Sequence, residues 1–379
     1  MIKRNSIIII GNGFDLAHNL PTSYNDFANH YLELISEHLL SHQENTIIRD
    51  SFFEYLQFFN RNGEGNVNYS NHKKLTNLAI LIQDGIKSKI EDYLKLNYNI
   101  ISSIIKNHFI ANLYNDTYSN WFDIENAFFE ELVQIKTDIK NSLETGARLK
   151  KLISLNKIKL NKLNDDLTDI KEKLKDYLQS IDLKLNPDIR QFFRSKFRGR
   201  HIIHIINFNY TNTIDLYKSQ ISSQGLTIDV LNIHGNLNEN IIFGYGNDKN
   251  DHYQDMKNLG IDEFLENFKT FEYLNNNRYS KYFKEHIRLL NRFDVYVLGH
   301  SLQQTDKTML STIFNNNNCL EIQLLKRGDQ IESDAFKSYR KLLFSASRII
   351  NNEDILRDKV INYVDTLAFP KESTKGNTV

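Results

Sequence analysis

Cysteine, proline and net charge are what this chain has least of. Its single cysteine, Cys319, has no partner for an internal disulfide and excludes a multi-cysteine zinc site. Forty-seven basic side chains balance 47 acidic ones, which removes the electrostatic footprint of a dedicated nucleic-acid or anionic-membrane binder. No apolar run is long enough to span a bilayer and no cleavable signal is recognisable, so a cytoplasmic protein with no membrane partner is expected. What is present is ordinary for a globular protein: 40% hydrophobic and 25% charged residues mark a chain that folds. At 379 residues it exceeds what one hydrophobic core usually serves, so a main domain with at least one added module is expected.

Ile7 to Ile10 form a continuous β-branched run closed by Gly11, the pattern of a strand buried on both faces within a parallel sheet. Comparable runs come much later, at Ile202 to Ile206, Ile228 to Ile233, Ile241 to Tyr245, Val295 to Leu298 and Leu320 to Leu325. The sheet is therefore expected to draw on residues 1–30 and 195–350, with 31–194 as a helical insertion domain. Inside that insertion Phe52, Tyr55, Leu56 and Phe59 recur at helical spacing. Two interleaved seven-residue series follow: Leu149, Asn156, Leu163, Ile170, Tyr177 and Ile153, Leu160, Leu167, Leu174, Ile181. They predict a long coiled-coil-like helix of about 50 Å, packed within the insertion or paired across a homo-oligomer. Asn186-Pro187 ends it. A second helical stretch within 255–292 is placed to lid a site, and 351–379 forms a C-terminal segment with a polar tail expected to fray.

Gly11-Asn12-Gly13-Phe14-Asp15 stands where the first strand turns into a helix, a place where backbone amides and a helix N-terminus can hold a diphosphate. The third position of the dinucleotide fingerprint is Leu16 instead of a small residue, so a purely structural turn is the competing reading. Asn207-Phe208-Asn209-Tyr210-Thr211-Asn212 follows the next long strand and emerges at the same carboxyl edge, either as ligand contacts or as turn formers. His234-Gly235 ends the strand after it, which makes His234 the best-placed general base in the chain; a satisfied core histidine is the alternative. Gly244, Gly246 and Asn247 close a further run, and Gly299-His300-Ser301 with Asp306 again puts glycine and a hydroxyl past a buried strand. Asp123 and Glu125 flank Ile124; they would point one way in an extended segment and diverge on a helix. A nuclease would want a lysine beside such acids, and none stands at the usual spacing, so a capping or ribose-contacting role is favoured and nucleic acid is not an expected partner. His201 and His204 are three apart on a predicted strand and face opposite ways, so no metal is expected.

Taken in order, Ile9 to His18 with Pro21-Thr22-Ser23-Tyr24, Trp121 to Glu125, Phe208 to Asn212, Ile233-His234-Gly235, Phe243 to Asp248 and Gly299 to Leu302 resemble the AbiH family of bacterial abortive-infection proteins. That resemblance implies phage defence by a cytosolic protein, with a phage-derived trigger as an expected partner. A wider resemblance is to sirtuin-like NAD-binding domains, whose glycine turn, Asn-containing loop and His-Gly pair fall here on Gly11 to Phe14, Asn209 and His234. It implies an α/β fold: a Rossmann-like, mostly parallel sheet carrying the helical insertion. It also implies NAD as substrate, cleaved by a glycohydrolase in which Asn209 orients the ribose or attacking water and His234 takes the proton. Gly11, Asn12, Gly13, Phe14, Asp15, Asn207, Tyr210, Thr211, Gly235, Gly244, Gly246, Asn247, Gly299, His300, Ser301 and Asp306 are the expected dinucleotide contacts. Thr211 stands where the related loops usually carry an acid, and Asp15 where they often carry a small residue. A non-catalytic nucleotide-binding module that signals through its helical domain is the alternative.

Overall fold

The computed structural model describes residues 5–41, 47–49, 54–56, 77–78, 80–81, 92–93, 96–97, 106–107, 109, 121–144, 149–197, 202–222, 227–275, 277–327, 332–350 and 352–370. Residues 1–22 with 175–379 form one compact unit and 23–174 a second. The first unit is built on a five-stranded, all-parallel sheet made of β1 (Asn5–Ile10), β2 (Ile202–Asn207), β3 (Thr227–Asn232), β4 (Phe293–Leu298) and β5 (Cys319–Leu324). Across the sheet they run β3-β2-β1-β4-β5. The order therefore reverses at β1, between β1 and β4, and at such a point the loops leaving the strands diverge to opposite faces of an open α/β sheet.

The isoleucine run of β1 explains its central place. Ile7 and Ile9 pack into one apolar cluster and Ile8 and Ile10 into another, so the strand must be covered on both faces. Each fully buried isoleucine contributes on the order of 1.5–3 kcal/mol. The strand is held by β2, through pairs such as Ile8 with Ile205, and by β4, through Ile8 with Tyr296.

Helices α1 (Asn12–Leu16), α2 (Tyr24–Ser41), α3 (Trp121–Glu144), α4 (Leu149–Gln179) and α5 (Pro187–Lys196) separate β1 from β2. The 31 residues of α4 bury Leu160, Leu163, Leu167, Ile170, Leu174 and Tyr177, six positions of the two seven-residue series; the helix stops at Gln179, short of Ile181 and of the expected break at Asn186-Pro187. Asn186 caps α5, accepting from the amides of Asp188 and Ile189, and Pro187 takes the first helical position, where a missing N–H costs nothing. Later helices are α6 (Asp215–Ser222), α7 (Asp251–Asn258), α8 (Lys269–Asn275), α9 (Asn277–Glu285), α10 (Lys307–Phe314), α11 (Glu332–Ile349) and α12 (Glu353–Lys359). Among the described residues no helix is long and apolar enough to cross a membrane.

Two sequence expectations fail. Glu54–Leu56 is not helical but pairs antiparallel with Ile47–Arg49, Tyr55 opposite Ile48; Phe52 and Phe59 lie outside the described residues. Four apolar positions over eight residues fit either period, and aromatic and β-branched neighbours favour the strand. Ile241 to Tyr245 likewise forms no sheet strand. The amide of Ile242 bonds the carbonyl of His234, Gly244 takes φ +158, and Tyr245 makes one isolated bridge to Phe268. The run folds back over the end of β3, where its side chains Ile241, Ile242 and Phe243 are buried.

Candidate functional site

The loops leaving β1 and β4 meet backbone to backbone. The Gly13 amide donates to the Gly299 carbonyl at 2.8 Å and the Gly11 amide to that of Leu298 at 3.2 Å. A Cβ on Gly13 would lie 2.8 Å from Gly299 Cα, and one on Gly299, whose φ is +73, would lie 2.3 Å from the Phe14 amide nitrogen. The glycines thus make room for each other, and in this conformation the Gly13 amide is already spent on a protein carbonyl. The crevice expected where the strand order reverses is closed by this crossing. Phe14 is fully buried, and Asn12 accepts from the Thr22 hydroxyl at 2.7 Å.

Asp15 also turns inward. It is 1% exposed and accepts from the Thr211 hydroxyl at 2.6 Å, which in turn accepts from Thr213, so Asp15 and Thr211 tie the first turn to the loop after β2. Burial raises the Asp15 carboxyl to about 6, against the lowering effect of its threonine partners. Among the described residues its Oδ1 has no hydrogen-bond partner. A carboxyl raised above its unfolded value of 3.8 costs the native state stability as pH rises from about 4 through 6, about 3 kcal/mol in full by linkage. Asp15→Asn avoids that cost and leaves one unpartnered amide group, worth about 1 kcal/mol. Urea melts should show the variant more stable than the parent by about 2 kcal/mol at pH 7.5, with the gap closing near pH 4; a gap independent of pH would contradict the raised carboxyl.

In the loop after β2, Asn207 donates to the Thr211 carbonyl and to Asn232, and its Oδ1 accepts from the Asn209 amide. It is a turn former. Asn209 donates Nδ2 to the Gly11 carbonyl at 3.1 Å, and among the described residues nothing donates to its Oδ1. Phe208 lies edge-on to both His234 and His300, with centroids 5.2 and 4.3 Å away. Tyr210 stands beside the His234 ring and bonds the Ile242 carbonyl.

His234 and Asp306 form the chemical centre. His234 Nε2 lies 3.1 Å from Asp306 Oδ1 and 3.2 Å from the Tyr273 hydroxyl. Lys269, 1% exposed, puts its ammonium 2.8 Å from the same Oδ1. His300 accepts the Leu302 amide on Nδ1, which leaves Nε2 protonated and 3.5 Å from Asp306 Oδ2. Leu302, buried in this turn, has the left-handed φ of +56. Burial by itself would raise Asp306, but the Lys269 ammonium and the His234 imidazole hold it well below the ordinary carboxylate range. Burial and Lys269 push His234 below its ordinary value, so the ring is neutral at pH 7. An Nε2–H donating to the carboxylate leaves Nδ1 as the nitrogen that can accept a proton.

The structure therefore links Gly11, Gly13, Asn209, His234, Gly299, His300 and Asp306 at the carboxyl edge. Asp306 faces its own protein partners, Gly244 and Gly246 pack against the Asn267 and Thr305 carbonyls, and Gly235 against that of Asn240. Ser301 is exposed, and Asn247 is buried, bonding Gln304. Lys269 and Tyr273, on α8, were not singled out in the sequence, where nothing marks them among the polar and aromatic residues of 255–292. Asp123 and Glu125 lie two apart in the first turns of α3, so their carboxylates diverge; they belong to the other unit.

A model of the family described as Bacteriophage abortive infection AbiH matches residues 7–77 and 82–326. No curated protein and no solved structure matches the chain.

Proposed function

We propose, for a chain that belongs to the AbiH family of bacteriophage abortive-infection proteins, that it is an NAD glycohydrolase. The family carries the anti-phage, abortive-infection role; the chemistry is our reading of the site. One observation carries it: a neutral buried imidazole, His234, beside a carboxylate kept ionised by Lys269, at the carboxyl edge of a parallel sheet. Ligands of open α/β sheets bind at that edge, and the β3-β2-β1-β4-β5 order suits a Rossmann-like dinucleotide fold.

In this reading the bond between ribose C1′ and the nicotinamide nitrogen breaks, and its electron pair neutralises the pyridinium. The resulting oxocarbenium ion is attacked by water, and His234 Nδ1 takes the proton, yielding nicotinamide and ADP-ribose. General-base help of this kind is worth roughly 10²- to 10⁴-fold. Asn209, anchored through Nδ2 on the Gly11 carbonyl, offers Oδ1 to a ribose hydroxyl or to the water. Because the Gly13 amide is engaged by Gly299, the diphosphate would be held by other groups or would require that crossing to open.

The test is nicotinamide release from NAD by the purified chain, alone and with an extract of phage-infected cells. Asn209→Ala is expected to lower release at least tenfold while the far-ultraviolet spectrum stays that of the parent. NAD left intact by the parent in both conditions would overturn the enzymatic reading. Calorimetric binding of NAD without turnover would then favour a nucleotide-binding sensor, a reading suited to an Asp306 already engaged by three protein donors.

A further inference from the structure

On the same face of the sheet, at the middle of β2 and β3 and not at their carboxyl ends, three side chains far apart in the sequence converge. His204 on β2 and Asp229 on β3 are direct register partners, and His286 follows the end of α9. Their ligand atoms all lie within 4.8 Å of one another. His204 Nδ1 is 3.6 Å and His286 Nδ1 3.5 Å from the same atom, Asp229 Oδ2.

Those separations are the informative quantity. A charge-assisted hydrogen bond between imidazole and carboxylate closes to about 2.7–2.9 Å, and neither pair does so. Ligands on a tetrahedral metal with bonds of about 2.0–2.2 Å stand about 3.3–3.6 Å apart. Asp229 Oδ2 and His204 Nε2 are buried, and among the described residues neither has a hydrogen-bond partner. That oxygen faces two imidazole nitrogens, and His204 first, with His286 and the Tyr282 hydroxyl, holds the Asp229 carboxyl below its ordinary value.

We propose that His204, Asp229 and His286 bind a divalent first-row transition ion of the zinc type, two imidazoles and one carboxylate leaving the fourth position to water. Nitrogen and oxygen donors of this kind suit zinc, cobalt or nickel better than magnesium or calcium. The Tyr282 hydroxyl, 3.3 Å from His204 Nδ1, gives up that contact when the ion binds. His286 has the freedom to close the remaining distance, since its side chain is 41% exposed. The ion would fasten the end of α9 to the edge strand β3. Because α8 directly precedes α9 and carries Lys269 and Tyr273, the clamp steadies one wall of the site without taking part in its chemistry.

The experiment uses the full chain, stripped with a chelator and titrated with zinc or cobalt. One equivalent of metal per chain is expected, with the visible bands of four-coordinate cobalt and a melting temperature that rises with metal. His286→Ala, at a half-exposed position, is expected to fold and to bind about 100-fold more weakly or worse, with the melting shift lost; Asp229→Asn should behave alike. No binding of either metal by the parent, or parent-like affinity in both variants, would overturn the assignment. Neither result depends on NAD turnover.

Discussion

His234→Ala is expected to lose about 10²- to 10⁴-fold of the rate of nicotinamide release, with little change in KM. The expectation follows from the position of the ring. Its neutral form is favoured by burial and by the Lys269 ammonium, and its Nε2 is fixed by Asp306 at 3.1 Å, so in the proposed reaction Nδ1 is the nitrogen that takes the proton from water. The variant leaves the Lys269 and Asp306 pair intact. This matters because removing one member of a buried ion pair strands the other, at a cost of about 3–5 kcal/mol, and Asp306→Asn or Lys269→Met would confuse lost chemistry with lost fold. His234→Ala should therefore keep the parent's denaturation midpoint within the range of a single cavity. Release at the parent's rate from a folded variant would remove His234 from the mechanism.

Gly299→Ala is expected to destabilise the chain by about 2–5 kcal/mol. A left-handed backbone costs an L-residue about 1–2 kcal/mol, and forcing a methyl into a filled space adds about 1–3 kcal/mol. At Gly299 the methyl would lie 2.3 Å from a backbone nitrogen, which cannot swing aside as a side chain would. Gly260, also at positive φ but with nothing within 4 Å, supplies the control: Gly260→Ala should lose only the conformational part. Equal midpoints for the two variants in urea would show that the crossing of the β1 and β4 loops is loose.

The sheet was legible because its chemistry is repetitive. Ile7 to Ile10 can only be covered on two faces, and Ile202, Phe293 and Cys319 begin strands within two residues of the apolar runs that announced them. Ile241 to Tyr245 carries the same residue types, yet its partner is the loop at Asn267 and not a strand, and no local pattern distinguishes the two. The turns after the strands were legible as turns. What the glycines approach was not, because a missing side chain admits a neighbouring carbonyl as readily as a phosphate, and here Gly13 admits Gly299. His234 could be singled out at a strand end and Asp306 near the turn after another, but Lys269 and Tyr273 reach them from α8 through tertiary packing alone. His204, Asp229 and His286 are invisible as a group until β2 and β3 are laid in register.

The central strand also sets a timetable for synthesis. β1 is synthesised well before its partners on either side: Ile205 and Tyr296 opposite Ile8 follow close to two hundred and close to three hundred residues later. Pairings that distant slow folding and leave apolar strands uncovered meanwhile. Residues 23–174, one contiguous compact unit, are free to collapse during that wait. Nascent chains stalled before β2 should therefore carry a β1 with neither partner strand, which chaperones would cover.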